Sequence, residues 1–116
     1  MGNRILKAFD GYMTLDESQT SDDISIGHHA RCAVQVVVDN TDAVGEISIQ
    51  GSCNRSNWVD LNYEDVNGDL QDGYDVTSGA DVNHVFDTDT ALPWLRVRYV
   101  RTSGTGGLNF YIHTKV

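Results

Sequence analysis

Apolar residues in this chain recur at every second position in run after run, a period that only an extended strand turns into a single face, and this constrains the fold more than any other feature. In Arg31 to Asp39, Cys32, Val34, Val36 and Val38 alternate with Ala33, Gln35, Val37 and Asp39. The second side is only half polar, which predicts a strand in the middle of a sheet. From Gly45 to Cys53, Ile47 and Ile49 share one side while Glu46, Ser48 and Gln50 share the other. Trp58 to Asn62 continues the pattern with Val59 and Leu61, so Ile47 to Leu61 reads as a β-hairpin with its polar turn at Cys53 to Asn57.

The closing third repeats the period. Leu95, Val97 and Tyr99 oppose Trp94, Arg96, Arg98 and Val100, and Leu108, Phe110, Ile112 and Thr114 oppose Asn109, Tyr111, His113 and Lys115. Pro93 opens the first of these strands, where a missing backbone donor does least harm. Shorter strands are predicted at Asp23 to Ile26, Tyr74 to Thr77 and Asn83 to Phe86. Hairpin turns are expected at Asn40 to Ala43 and at Thr102 to Gly107.

Eight to nine strands, turn signals every eight to twelve residues and no helical period predict an all-β protein, an antiparallel β-sandwich or jelly roll. With 116 residues there is material for one core, assigned to residues 21–116. Residues 1–20 have only weak alternation, around Ile5, Leu6 and Phe9 and again at Tyr12, Met13 and Leu15, broken by Gly11. They read as an N-terminal arm, able to add an edge strand or to lie across a neighbouring subunit.

The net charge of −9 argues against binding to nucleic acid, where affinity rests on Lys and Arg neutralising phosphates. The charge is also uneven. Nine acidic residues lie from Asp60 to Asp89, with no Lys or Arg from Ser56 through Leu95, and Arg96, Arg98 and Arg101 follow at once. The acidic stretch reads as solvated loop, with docking of a basic partner as the sharper possibility. The arginine stripe is expected either to pair with the chain's own carboxylates or to contact a partner. No apolar run suits a secretory signal or a membrane span, which predicts synthesis in a cytoplasm. The strand parity of Cys32 and Cys53 places both with inward residues, predicting buried free thiols in preference to a disulfide.

Candidate chemical sites are sparse. Asp65, Asn67 and Asp69 have the alternate spacing with which a calcium loop begins, but Leu70 stands where that loop needs Gly and Val76 where it needs Glu, so a solvated loop is the expectation. His28, His29, His84 and His113 fall on adjacent or separate segments, unlike converging zinc ligands. Ser, His and Asp occur without a nucleophile elbow, so the chain reads as a non-enzyme needing no cofactor. Trp58, Trp94, Tyr63, Tyr74, Tyr99 and Tyr111 could form a sugar-stacking platform or partly buried interface anchors.

The hairpin sequence QGSCNRSNWVDL, Gln50 to Leu61, resembles the "QGSNDGxNWVDL" hairpin of small phage-encoded virion proteins. Ala33 to Val38 before it, Ser78 to Asp87 after it and the close Leu95 to Gly106 are similar to the same family, over residues 21–116. A related "SNDGxxW" hairpin occurs in discoidin-like carbohydrate and lipid binders. One departure is that Asn54-Arg55 replaces the family's Asp-Gly, which removes the glycine that eases positive backbone angles and implies a different turn.

The resemblance implies a head decoration, or cement, protein of the phage virion. Such a protein sits on the capsid surface and clamps neighbouring major capsid subunits, in contact with sister copies as a dimer or trimer. Ile5, Leu6, Phe9, Tyr12, Trp58, Trp94, Arg96, Arg98 and Arg101 are the candidate partner contacts. The alternative is a tail- or fibre-associated receptor- or carbohydrate-binding module.

Overall fold

The structure, a computed structural model, describes residues 7–26, 31–64, 67–89 and 92–115. Ile5, Leu6, Asp65, His28 and His29 lie outside the described residues, as does the side chain of Phe9. Six long strands carry the fold: β1 (Lys7–Thr14), β4 (Arg31–Asn40), β5 (Val44–Ser52), β10 (Val82–Asp89), β11 (Trp94–Ser103) and β12 (Gly106–Lys115). Short strands join them at β2 (Gln19–Thr20), β3 (Ile24–Ser25), β6 (Val59–Asp60), β7 (Tyr63–Glu64), β8 (Leu70–Gln71) and β9 (Tyr74–Val76). The total of twelve among the described residues exceeds the eight or nine expected because the polar stretch from residue 62 to 73 adds the small β7–β8 pair and residues 7–20 add β1 and β2.

The strands form two antiparallel sheets facing each other across one core, as the alternation predicts. The first has the order β1-β12-β4-β10; the second has β2-β11-β5-β6, with β3 beside β11 and β9 beside β5. The chain changes sheet between β1 and β2, β3 and β4, β4 and β5, β9 and β10, β10 and β11, and β11 and β12, which makes the sandwich jelly-roll-like. The turns at 40–43 and 102–107, expected to close hairpins, instead carry the chain from one sheet to the other. Residues on opposite sides of those turns pack face to face rather than pairing.

Burial follows the period of two. Cys32, Val34, Val36 and Val38 of β4, Ile47 and Ile49 of β5, Leu95, Val97 and Tyr99 of β11, and Leu108, Phe110 and Ile112 of β12 are all buried. Each large aliphatic among them contributes about 1.5 to 3 kcal/mol on leaving water. Segment 7–14, within the stretch expected to form an arm, pairs with β12 along its whole length, and Met13 and Leu15 enter the core. Gly11 lies opposite Phe110, and a Cβ there would stand 2.3 Å from the ring, so the break in the arm's alternation is where the aromatic ring passes.

Parity misplaces two residues of the Ile47 to Leu61 hairpin. Val59 is 57% exposed: it lies opposite Gly51, and the space inside that glycine is filled by Leu92, with Leu61 beside it. Cys53 is exposed because it follows the last residue of β5, after the chain has turned. Cys32 is buried, its thiol pushed up to about 12 by burial and, secondarily, by Asp87; both cysteines are free.

One end of the sandwich is knotted by a single amide. The Asn40 side-chain nitrogen donates toward the carbonyls of Thr77 (2.7 Å), Ala80 (3.1 Å) and Ala43 (3.2 Å), while its oxygen accepts from the Ala43 N–H at 2.6 Å. The Asn40 backbone N–H donates to Asp81 at 3.0 Å. Asp42 adds the third connection, accepting from the Thr105 N–H at 2.7 Å. Gly104 packs against it with a φ of 79°, where a Cβ would meet the Asp42 carbonyl at 2.0 Å. Replacing Asn40 by Ala leaves buried backbone groups unpaired, so a loss of about 2 to 3 kcal/mol is expected in chemical denaturation.

At the side of the sandwich, Tyr63, Tyr74, His84 and Phe86 form an aromatic cluster. His84 lies 4.3 Å from Tyr74 and 5.0 Å from Tyr63 between ring centroids. Burial lowers the His84 pKa, and its buried Nε2 has no hydrogen-bond partner among the described residues. The unfolded chain therefore takes up a proton near pH 6.5 that the folded chain resists. This contribution is intact above that pH and is lost as pH falls through the lowered folded value. Denaturation midpoints at pH 7.5 and pH 5 should accordingly fall further for the wild type than for His84→Phe.

Candidate interaction surface

The two tryptophans and two of the three clustered arginines of the sequence come together on the outward face of the second sheet. Register places Trp94 opposite Ser52, Arg96 opposite Gln50, Arg98 opposite Ser48 and Val100 opposite Glu46. On the other side of β5, Asp60 of β6 lies opposite Gln50 and Asp75 of β9 opposite Glu46. Ser48, Gln50 and Ser52 point outward by parity, yet all are buried. They form the floor of a second layer made of long side chains.

Two stacked pairs build that layer. The Arg96 guanidinium lies 4.2 Å from the Trp58 ring centroid, and its Nε donates to Gln50 Oε1 at 2.8 Å. Gln50 in turn donates from Nε2 to Asp60 Oδ1 at 2.8 Å. The Arg55 guanidinium lies 4.4 Å from the Trp94 centroid and pairs with Asp23 at 3.1 Å. Each cation–π contact contributes about 0.5 to 2 kcal/mol, depending on desolvation. The half-exposed Arg55–Asp23 pair adds less than about 1 kcal/mol.

Arg55 reaches Trp94 from the turn of the β5–β6 hairpin. Ser52 Oγ accepts from the backbone N–H groups of Asn54 (3.1 Å) and Arg55 (2.9 Å), and Asn54 Oδ1 accepts from those of Ser56 and Asn57, both at 2.9 Å. These side chains hold the turn in place of the missing glycine. The positive angle nevertheless remains: Arg55 has a φ of 63°, alone among the described non-glycine residues. That conformation costs a residue with a Cβ roughly 1 kcal/mol, which the contacts of the Arg55 side chain offset.

The other sequence candidates are dispersed. Arg98 is exposed, and its side chain makes no hydrogen bond or ion pair to another described residue. Arg101 turns to its own loop, donating from Nε to the Gly104 carbonyl at 2.9 Å. Tyr12 is exposed on the outward face of the first sheet, beside Asn109. Phe9 lies opposite Ile112 in β1. Asn67 and Asp69 are exposed, and among the described residues no three His, Cys, Asp or Glu side chains are grouped to hold a metal ion.

The six aromatics weighed as a sugar platform do not share a surface. Tyr99 is in the core, Tyr63 and Tyr74 belong to the side cluster and Tyr111 lies on the first sheet. Trp58 and Trp94 each carry a guanidinium over the ring. Sequence reasoning missed Arg55, Gln50 and Asp23; the one available signal was an arginine standing where the resembled hairpin has glycine.

No protein-family model and no curated protein sequence matches the chain. Among solved structures, the fold is similar to the SPBc2 prophage-derived protein YomS, with a TM-score of 0.68 and 13% identity over 97% of this chain and 96% of that one. It is also similar to a structure of the Bacillus endospore appendages described as a novel family of disulfide-linked pili. There the TM-score is 0.50 and the identity 9%, over 99% of this chain and 92% of that one. At these identities the likeness establishes a shared all-β sandwich architecture.

The geometry of the turn makes a separable prediction. Arg55→Ala keeps the left-handed strain and removes the stack and ion pair, whereas Arg55→Gly relieves the strain while removing the same contacts. Urea denaturation should show Arg55→Ala destabilised by about 1 to 2 kcal/mol, with Arg55→Gly recovering roughly 1 kcal/mol of that loss.

Proposed function

We propose that this chain is a structural protein of the phage virion, of the head decoration or cement type. It binds the outside of the capsid and clamps neighbouring major capsid subunits. The observation that carries this reading is the near end-to-end similarity of fold to a prophage-derived protein, at a TM-score of 0.68. The virion-like hairpin and the closing arginine strand support it from the sequence side. An appendage subunit among the similar structures is compatible with the same kind of role, a small sandwich used as a building block.

The mechanism is physical. Each copy covers a joint between capsid subunits with a modest patch of surface. Repetition over the shell turns weak single contacts into collective resistance to internal pressure. The residues offered for contact with the capsid or with sister copies are the Trp58, Trp94, Arg96 and Arg98 face and the outward Tyr12.

The test is reconstitution. Purified protein added to expanded capsids lacking decoration should bind in numbers comparable to the major capsid protein and raise the temperature at which the particles release DNA. Failure to bind such capsids together with binding to host-cell glycans would overturn the cement reading in favour of a tail or fibre receptor-binding module.

A further inference from the structure

We propose that the outward face of the second sheet docks a second copy of this chain about a two-fold axis parallel to the strands. The face is divided along the strand direction. One column, on β11, holds Arg96 and the exposed Arg98, which has no ion-pair partner among the described residues; the other, on β5, β6 and β9, holds the exposed Glu46, Asp60 and Asp75.

Neighbouring strands are about 4.8 Å apart, so the outer strands of β11-β5-β6/β9 stand roughly 10 Å from each other. Among the described residues no ion pair joins Arg96 or Arg98 to Glu46, Asp60 or Asp75, so the two columns keep their opposite charges. A partner of a single charge sign would satisfy one column and be repelled by the other. A copy rotated by 180° about an axis parallel to the strands presents the columns in reverse order, setting arginine against carboxylate on both sides. An isologous contact of this kind uses one patch twice and closes at two subunits.

The composition between the columns fits the same occupant. Trp58 and Trp94 are half-buried and each is stacked by a guanidinium, from Arg96 and Arg55, so little side-chain freedom remains to be lost on docking. Tryptophan and arginine are also the residue types on which interface energy concentrates. This inference concerns the isolated chain and does not depend on the capsid reading.

Charge-swap complementation tests it, read by sedimentation velocity on the full chain at about 100 µM, where an interface of standard size is populated. The wild type should sediment as a dimer. Arg98→Glu leaves Arg96 as the one arginine of its column and turns the face predominantly acidic, and Glu46→Arg with Asp75→Arg leaves Asp60 as the one carboxylate of its column and turns the face predominantly basic. Each alone should raise the dissociation constant at least about tenfold.

An equimolar mixture of the two variants should restore a one-to-one dimer, because both opposed columns again differ in sign. Thermal melts matching the wild type confirm that these exposed substitutions leave the sandwich folded. A monomeric wild type, or an Arg98→Glu dimer unchanged from the wild type, overturns the proposal; the latter would move the contact to the outward face of the first sheet. Folded variants that fail to associate when mixed would overturn it as well.

Discussion

The fold depends on satisfying backbone groups where the chain crosses between sheets, and at one end Asn40 does most of this alone. Sheets of a sandwich stand about 10 Å apart, so each crossing leaves carbonyls and N–H groups beyond the reach of either ladder. Asn40 terminates β4 and ties its own crossing, through Ala43, to the crossing between β9 and β10, through Thr77, Ala80 and Asp81. Asp42 brings in the crossing between β11 and β12. An amide suits the position because it offers two donors and an acceptor on one short stem; an aspartate would supply no donor.

The outer edge of β11 is managed by a different device. Segment 18–26 runs beside it, pairing at β2 and β3 and filling the intervals with serine side chains. The Val97 N–H donates to Ser21 Oγ and the Arg101 N–H to Ser18 Oγ, each at 2.9 Å. An edge that would otherwise invite another strand is thereby covered. Both edge strands of the first sheet, β1 and β10, are instead eight residues long, so the two sheets end differently.

What the sequence revealed follows from which forces are local. Alternation records which side chains leave water, so the core from Cys32 to Val38 and from Leu108 to Ile112 was legible residue by residue. Connectivity was not. A four-residue turn such as Asn40 to Ala43 looks the same whether its flanking strands pair or pack face to face, and only the buried hydrogen bonds of Asn40 distinguish the two. The outward layer was half legible. Trp94, Arg96 and Arg98 share a face by period alone, but the stacking of Arg55 on Trp94 joins residues far apart in sequence.

Arg55 links the turn to that layer. A left-handed residue in a hairpin turn is most cheaply a glycine, and the backbone here keeps the left-handed angle without it. Ser52 and Asn54 hold the turn through four backbone N–H bonds, so the angle is imposed by the loop and not chosen by Arg55. With the backbone so fixed, the side chain projects back over β11, and its guanidinium closes the row that begins with Arg96 on Trp58. The strain at one residue is thus coupled to the cation that covers Trp94. Releasing the angle with glycine would leave the turn intact and strip the cation from Trp94, separating the stability of the hairpin from the surface it presents.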